Sequence, residues 1–280
     1  EKQSQTQNTV EEQRRSIIDH RPLISVMTAA GTHPLQCLFI GWGKLGRCIA
    51  LPIIYLSPST KDWNPYINGG TEEEWMNLLA DKMVPFLNAS GIRYARNTPD
   101  MTAASSITAS NAGNYDLHLA LHSNAAAGAQ AGKARGSIVF YYPGSSNGQR
   151  VANLVVDGLK TIYPDPNLVR SEATTSLGEV ARVNAPSILI ELAFHDNEED
   201  AAWIKNNLDA AARVIVLALT EYFGIPFFET ENRRPGVVDV EWGSLNVRAR
   251  PNTSAAILAQ AQDGAPITII NTSNGWHLVN

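Results

Sequence analysis

From residue 51 onward, short apolar runs alternate with longer segments whose apolar positions recur every three or four residues. ALPIIYL (50–56) is apolar and β-branched, and the turn residues SPST follow it, which predicts a buried strand. TEEEWMNLLADKMVPFLNASG (71–91) predicts a helix. Thr71 suits the N-cap, Glu74 stands where a capping box would place its acid, and Gly91 suits the stop. Trp75, Leu78, Leu79, Met83, Phe86 and Leu87 form its apolar stripe, and Pro85 is positioned to kink it. IRYAR (92–96) reads as a short strand and MTAASSITASNAG (101–113) as a small helix. YDLHLALH (115–122) and GSIVFYYP (136–143) read as strands, and NGQRVANLVVDGLKTIY (147–163) as an amphipathic helix. APSILIELAF (185–194) reads as a long buried strand. Residues 197–224 read as one helix with acids in its first turn and Gly224 at its end. Strands that are apolar throughout, alternating with helices, predict an α/β domain: a mixed, mostly parallel sheet flanked by helices.

The texture changes twice. Residues 1–50 form an extension of unassigned role, opening on the polar, charged stretch EKQSQTQNTVEEQRRS. IPFFETENRRPG (225–236) reads as a linker, with a domain boundary near Pro235. Residues 237–280 carry short runs punctuated by Gly, Pro, Asn and Ser, the pattern of a small all-β domain. This divides the chain into 1–50, 51–224, 225–236 and 237–280.

Composition narrows the function. Of 280 residues, 44% are hydrophobic and 18% charged, ordinary for a globular protein, and the net charge of −5 argues against a nucleic-acid partner. No apolar stretch is long enough for a transmembrane anchor; residues 34–56 come nearest but contain Lys44 and Arg47. Cys37 and Cys48 read as free thiols, with one disulfide as the alternative in an exported protein.

In an open α/β sheet, functional groups gather where parallel strands end. His122 ends one strand, Glu191 lies near the end of another, and Glu73 sits in the first turn of the helix after the first strand. One imidazole and two carboxylates at a sheet edge suit a zinc hydrolase. Zinc binds such groups and activates a water, and a nearby carboxylate moves the proton. His118 shares a strand face with His122 but lies roughly 13 Å away along it, so it reads as core. A carboxylate inside ILIELAF is costly when unpaired, so Glu191 needs a partner or a proton-transfer role.

These residues resemble the zinc-dependent N-acetylmuramoyl-L-alanine amidases of the Amidase_3 family. The similarity lies in LALHSNA (119–125), in LIELAFHDN (189–197), in Glu73 four residues before Asn77-Leu78, and in YARN and ASNAG ahead of the His strand, spanning about Ile53 to Phe223. The resemblance implies that Glu73 and His122 bind zinc and that Glu191 is the catalytic acid/base. It also implies cleavage of the peptidoglycan amide between muramic acid and L-alanine. It departs at one point. The family's first ligand is a His in Pro-Gly-His-Gly, and here YLSPSTKDWN has Thr60 at that place. His195 is the substitute ligand best placed by sequence, with Asp62 and Asn64 behind it.

Residues 243–279 resemble a bacterial SH3-like module that ends before its last expected strand. Such modules bind cell-wall peptides or glycans, and Trp242 and Trp276 are either core or binding-face aromatics. The expected protein is a monomeric peptidoglycan hydrolase acting outside the cell or in the wall, after export or release by lysis. The alternatives are a wall-binding protein on an amidase-like fold that has lost its metal, and a zinc carboxypeptidase on a related sheet.

Overall fold

In the computed structural model, residues 52–229, 234–248, 251–273 and 276–279 are described. The extension 1–50, with Cys37 and Cys48, lies outside them. The chain divides into two compact units, Pro52–Thr230 and one holding residues 231–280.

The larger unit has six strands: β1 (Ile53–Pro58), β2 (Arg93–Arg96), β3 (Leu117–Asn124), β4 (Ser137–Tyr141), β5 (Val169–Ala173) and β6 (Ser187–Phe194). Their order is β2-β1-β3-β6-β4-β5. All pairings are parallel except β4 with β6. This is the mixed, mostly parallel sheet that the sequence predicts. The helices are α1 (Glu72–Ala89), α2 (Ala103–Ala112), α3 (Ser146–Lys160), α4 (Gly178–Ala181), α5 (Glu198–Asn206) and α6 (Leu208–Phe223). On one sheet face α1 packs on β1, β3 and α6; α4 contacts β6 and α2.

Local chemistry sets the helix ends. Thr71 Oγ1 accepts from Glu74 N, as its N-cap reading requires. The reciprocal capping box belongs instead to Thr102 and Ser105 at the start of α2. Helix α1 buries Glu72, Met76, Leu79, Ala80, Met83 and Leu87, while Leu78 is exposed. The buried stripe is therefore rotated from the predicted one, and Glu72 belongs to it. Pro85 lies inside the continuous helix. The single helix expected over 197–224 is two, α5 and α6, meeting at Asn207, whose backbone leaves helical values. Gly224 ends α6 in the left-handed conformation, which glycine adopts without strain.

The stretch expected as a linker is partly built into the fold. Ile225 and Phe228 are buried, and Phe228 N donates to Ser90 Oγ. Arg234–Val237, with the Pro235 of the expected boundary, forms strand β7.

The second unit adds β8 (Ser244–Arg248), β9 (Ile257–Gln262), β10 (Pro266–Ser273) and β11 (Trp276–Val279). It is all antiparallel, with β11-β10-β7 in one sheet and β8-β9 in another. Val238, Val247, Ala261, Ile267, Ile269 and Val279 form its core, with Trp276 packed against them, whereas Trp242 is exposed.

Candidate functional site

At the carboxyl end of β3 the register pairs His122 with Glu191 of β6, so their side chains leave the sheet on one face. The register then shifts: Asn124 pairs with Phe194, which leaves an extra residue on β6. A bulge of this kind re-aims side chains at a sheet rim. It lies just beyond His122 and Glu191.

Glu72 opens α1 on its buried stripe and reaches His122, its Oε1 2.6 Å from Nδ1. Asn64 Nδ2 donates to Glu72 Oε2 at 2.7 Å, and Lys61 Nζ lies 3.4 Å from Oε1. The other imidazole nitrogen, Nε2, is 3.0 Å from Glu179 Oε2. Glu179 Oε1 accepts from Ser57 Oγ and faces His118 Nε2 at 3.3 Å. His118 Nδ1 in turn meets Ser110 Oγ at 2.9 Å. A buried chain thus runs from Glu72 through His122, Glu179 and His118 to Ser110.

The electrostatics follow from this packing. Burial opposes a charged His122, but the hydrogen bonds to Glu179 and Glu72 outweigh it and raise the imidazole to about 9. At neutral pH both ring nitrogens therefore carry protons and donate to the flanking carboxylates. Burial opposes ionisation of Glu72 too, yet His122 and Lys61 hold it down at about 2. Glu179 is likewise held well below the carboxylate range, against burial, by His118 and His122. Glu191 goes the other way: burial raises it to about 7, with His122 opposing the shift. Its residue keeps some surface at the rim, but Oε2 is enclosed without a hydrogen-bond partner.

The sequence-predicted residues separate. His122 and Glu191 come together. Glu73 points elsewhere: its carboxylate accepts from Asn77 Nδ2, one turn on, and Glu72 takes the position against His122. The spacing to Asn77-Leu78 favours Glu73, whereas the buried stripe of α1 selects Glu72. His195 does not join the His122 cluster. Its Nδ1 donates to Ser123 O at 2.9 Å, its ring packs on Tyr66, and burial lowers its pKa. Asn64 serves as a donor to Glu72, and Asp62 is exposed. His118 is buried as expected, but as part of the polar chain. Glu179 carried no sequence signal, because it lies in a four-residue helix too short to show a period.

The donor set does not fit the zinc that the resemblance implies. Two ligands at about 2.0–2.2 Å from a tetrahedral ion stand roughly 3.3 Å apart. Glu72 Oε1 and His122 Nδ1 are 2.6 Å apart, the spacing of a charge-assisted hydrogen bond. The second nitrogen of His122 is taken by Glu179, and the ammonium of Lys61 already lies against Glu72. Thr60 holds the position at which the sequence resemblance expects the first ligand. Among the described residues no three His, Cys, Asp or Glu are arranged to hold a metal ion.

Comparison with known proteins matches this fold. The family described as N-acetylmuramoyl-L-alanine amidase matches residues 59–221, and the bacterial SH3 domain matches residues 243–280. No curated protein matches the chain. Among solved structures, the chain is similar to the N-acetylmuramoyl-L-alanine amidase AmiC2 of Nostoc punctiforme at 14% identity and a TM-score of 0.54, over 62% of this chain and 98% of that one. It is similar to the catalytic domain of CwlV, an amidase from Bacillus (Paenibacillus) polymyxa var. colistinus, at 14% identity and 0.54, over 62% and 99%. The CwlD amidase from Clostridioides difficile, solved in complex with the GerS lipoprotein, matches at 16% identity and 0.54, over 62% and 98%. At these identities the likeness is one of fold.

Proposed function

Because the chain belongs to the N-acetylmuramoyl-L-alanine amidase family, we propose that it hydrolyses the peptidoglycan amide between N-acetylmuramic acid and the L-alanine of the stem peptide, with Glu191 as the proton-transfer group. One observation carries the assignment of Glu191. It is a carboxyl raised to about 7, with an unpartnered Oε2, at the strand end beside His122. A general base works best when its pKa lies near the working pH. Glu191 takes a proton from the attacking water and returns it to the departing alanine nitrogen. His122 and Lys61 supply the positive charge felt at Glu191, and that charge opposes the negative charge that builds on the carbonyl oxygen. The family is typically zinc-dependent, where the ion would activate the water. The described residues do not complete such a site, so Glu73, His122 and His195 are not assigned as ligands and no step here passes through the ion.

The substrate places this action outside the cell or in the wall, and the SH3-like unit is the part suited to holding wall peptide or glycan. Among the described residues no helix is long and apolar enough to cross a membrane. The test is release of new alanine amino termini from purified peptidoglycan. Glu191→Gln keeps the shape and removes the base, so release should fall at least about 100-fold with the circular dichroism spectrum unchanged. Release at the wild-type rate would overturn the role of Glu191. A second reading, a wall-binding protein without hydrolysis, is favoured by the incomplete ligand set alone. It predicts sedimentation with peptidoglycan and no release from either protein.

A further inference from the structure

We infer that the ammonium of Lys61, together with the hydrogen-bonded His122–Glu72 pair, takes the place of the divalent ion in this site, so that the site neither binds zinc stoichiometrically nor requires it. The inference concerns the same site as the proposed hydrolysis but stands on its geometry, not on that activity.

Three observations carry it. First, the loop bearing Lys61 is folded back onto the start of α1. Asn64 N and Glu73 N both donate to Lys61 O, Glu72 N donates to Asn64 O, and Lys61 N donates to Ser59 Oγ. These bonds fix the Lys61 backbone one residue after Thr60, where the family places its first ligand. Second, the Lys61 ammonium lies 3.4 Å from Glu72 Oε1, the oxygen that also meets His122. Glu72 is fully buried, and Lys61 is a partly solvated cation reaching inward to it. A buried carboxylate is stable only when paired, and this one is paired twice. Third, both nitrogens of His122 are already engaged, Nδ1 with Glu72 Oε1 at 2.6 Å and Nε2 with Glu179 Oε2 at 3.0 Å. A dication placed at Glu72 would sit beside the Lys61 ammonium and would have to displace the His122 contact at the same oxygen.

The full chain, stripped with chelator, is titrated with zinc chloride by calorimetry and assayed for bound metal after desalting. The expected result is no stoichiometric uptake at micromolar zinc. Histidine nitrogen resonances should also show His122 protonated on both nitrogens at pH 7, with or without equimolar zinc. One equivalent bound with Kd below about 1 µM, or loss of the Nδ1 proton on adding zinc, would overturn the inference. Restoring the family residues with Thr60→His and Lys61→Gly should raise zinc affinity roughly 100-fold or more. A double variant that folds, by circular dichroism, yet still takes no zinc would also overturn the assignment to Lys61. Lys61→Met alone covers the case in which the double variant fails to fold. It should gain zinc affinity over wild type, and an unchanged affinity counts against the inference. Release of alanine amino termini should be insensitive to chelator, and release that appears only with zinc would overturn it. A chain that binds no zinc and releases nothing under either condition would sink the hydrolysis proposal and leave the ion assignment supported.

Discussion

Glu72 and Glu191 are one residue type driven in opposite directions by their neighbours. Glu72 faces an imidazolium and an ammonium and is held at about 2; Glu191 is enclosed with an orphaned oxygen and is raised to about 7. Neighbouring acids pushed apart in this way divide into a permanent charge and a proton carrier. Linkage makes the second half measurable. In the unfolded chain Glu191 releases its proton near its ordinary value of 4.5, whereas in the fold it holds it to about 7. Between those values the folded state binds more protons, so raising the pH favours unfolding, and the loss is complete above about 7. The size is about 3 kcal/mol. Glu191→Gln cannot ionise and lacks this slope. Urea unfolding of both proteins from pH 4 to 8, without added metal, should show the variant gaining by about 3 kcal/mol on wild type across that window. A gap that does not change with pH would mean that the fold leaves the titration of Glu191 unshifted.

At the scale of elements, periodicity made most of the fold legible. The strands ending at His122 and carrying Glu191 are apolar runs bounded by turns, and both appear where expected, as β3 and β6. Their partnership is set by register, which no local pattern records. The break between α5 and α6 left no Gly or Pro; it is a matter of backbone geometry at Asn207. The choice of Glu72 over Glu73 rested on which side of α1 meets the sheet, and the apolar stripe drawn from sequence was rotated because Trp75 and Leu78 are large yet not buried. Asp200 shows the same limit. It reads as a favourable first-turn acid, but in α5 it is fully buried and gathers four donors: Gly136 N, Phe194 N, Tyr163 OH and Arg135 Nε. One carboxylate thus ties the entry of β4, the end of β6 and the residues after α3 together. Asp200→Ala leaves Gly136 N, Phe194 N and Tyr163 OH without their acceptor, while Arg135 keeps its pairing with Glu199. It should cost about 3–5 kcal/mol in urea unfolding, since each buried donor left unpaired costs about 1–3 kcal/mol; a loss under 1 kcal/mol would show that water replaces the carboxylate freely.

At the scale of the whole molecule, the chain is two bodies of unequal means. The unit from Pro52 to Thr230 buries its central strands β1, β3 and β6 almost throughout, and among the described residues the other has a small aliphatic core around Val238, Val247, Ile267, Ile269 and Val279 with a partly buried ring. Each has its own hydrophobic core, the requirement for folding alone. Their stabilities should differ, because a unit of this smaller size hides a lower fraction of its surface and is correspondingly marginal. Residues 52–230 expressed alone should therefore unfold cooperatively in urea at the midpoint of the larger transition of the full chain. The full chain should show in addition a small early transition of shallow slope, since the slope scales with surface exposed. Trp276 is packed on the small core and Trp203 is buried in the large unit, so fluorescence of single-tryptophan variants separates the two events. A single shared transition, or a 52–230 fragment that fails to unfold cooperatively, would show that the units depend on each other for stability. Peptidoglycan retention by the fragment then separates roles: release without retention would assign holding the wall to residues 237–280 and chemistry to the sheet edge at His122 and Glu191.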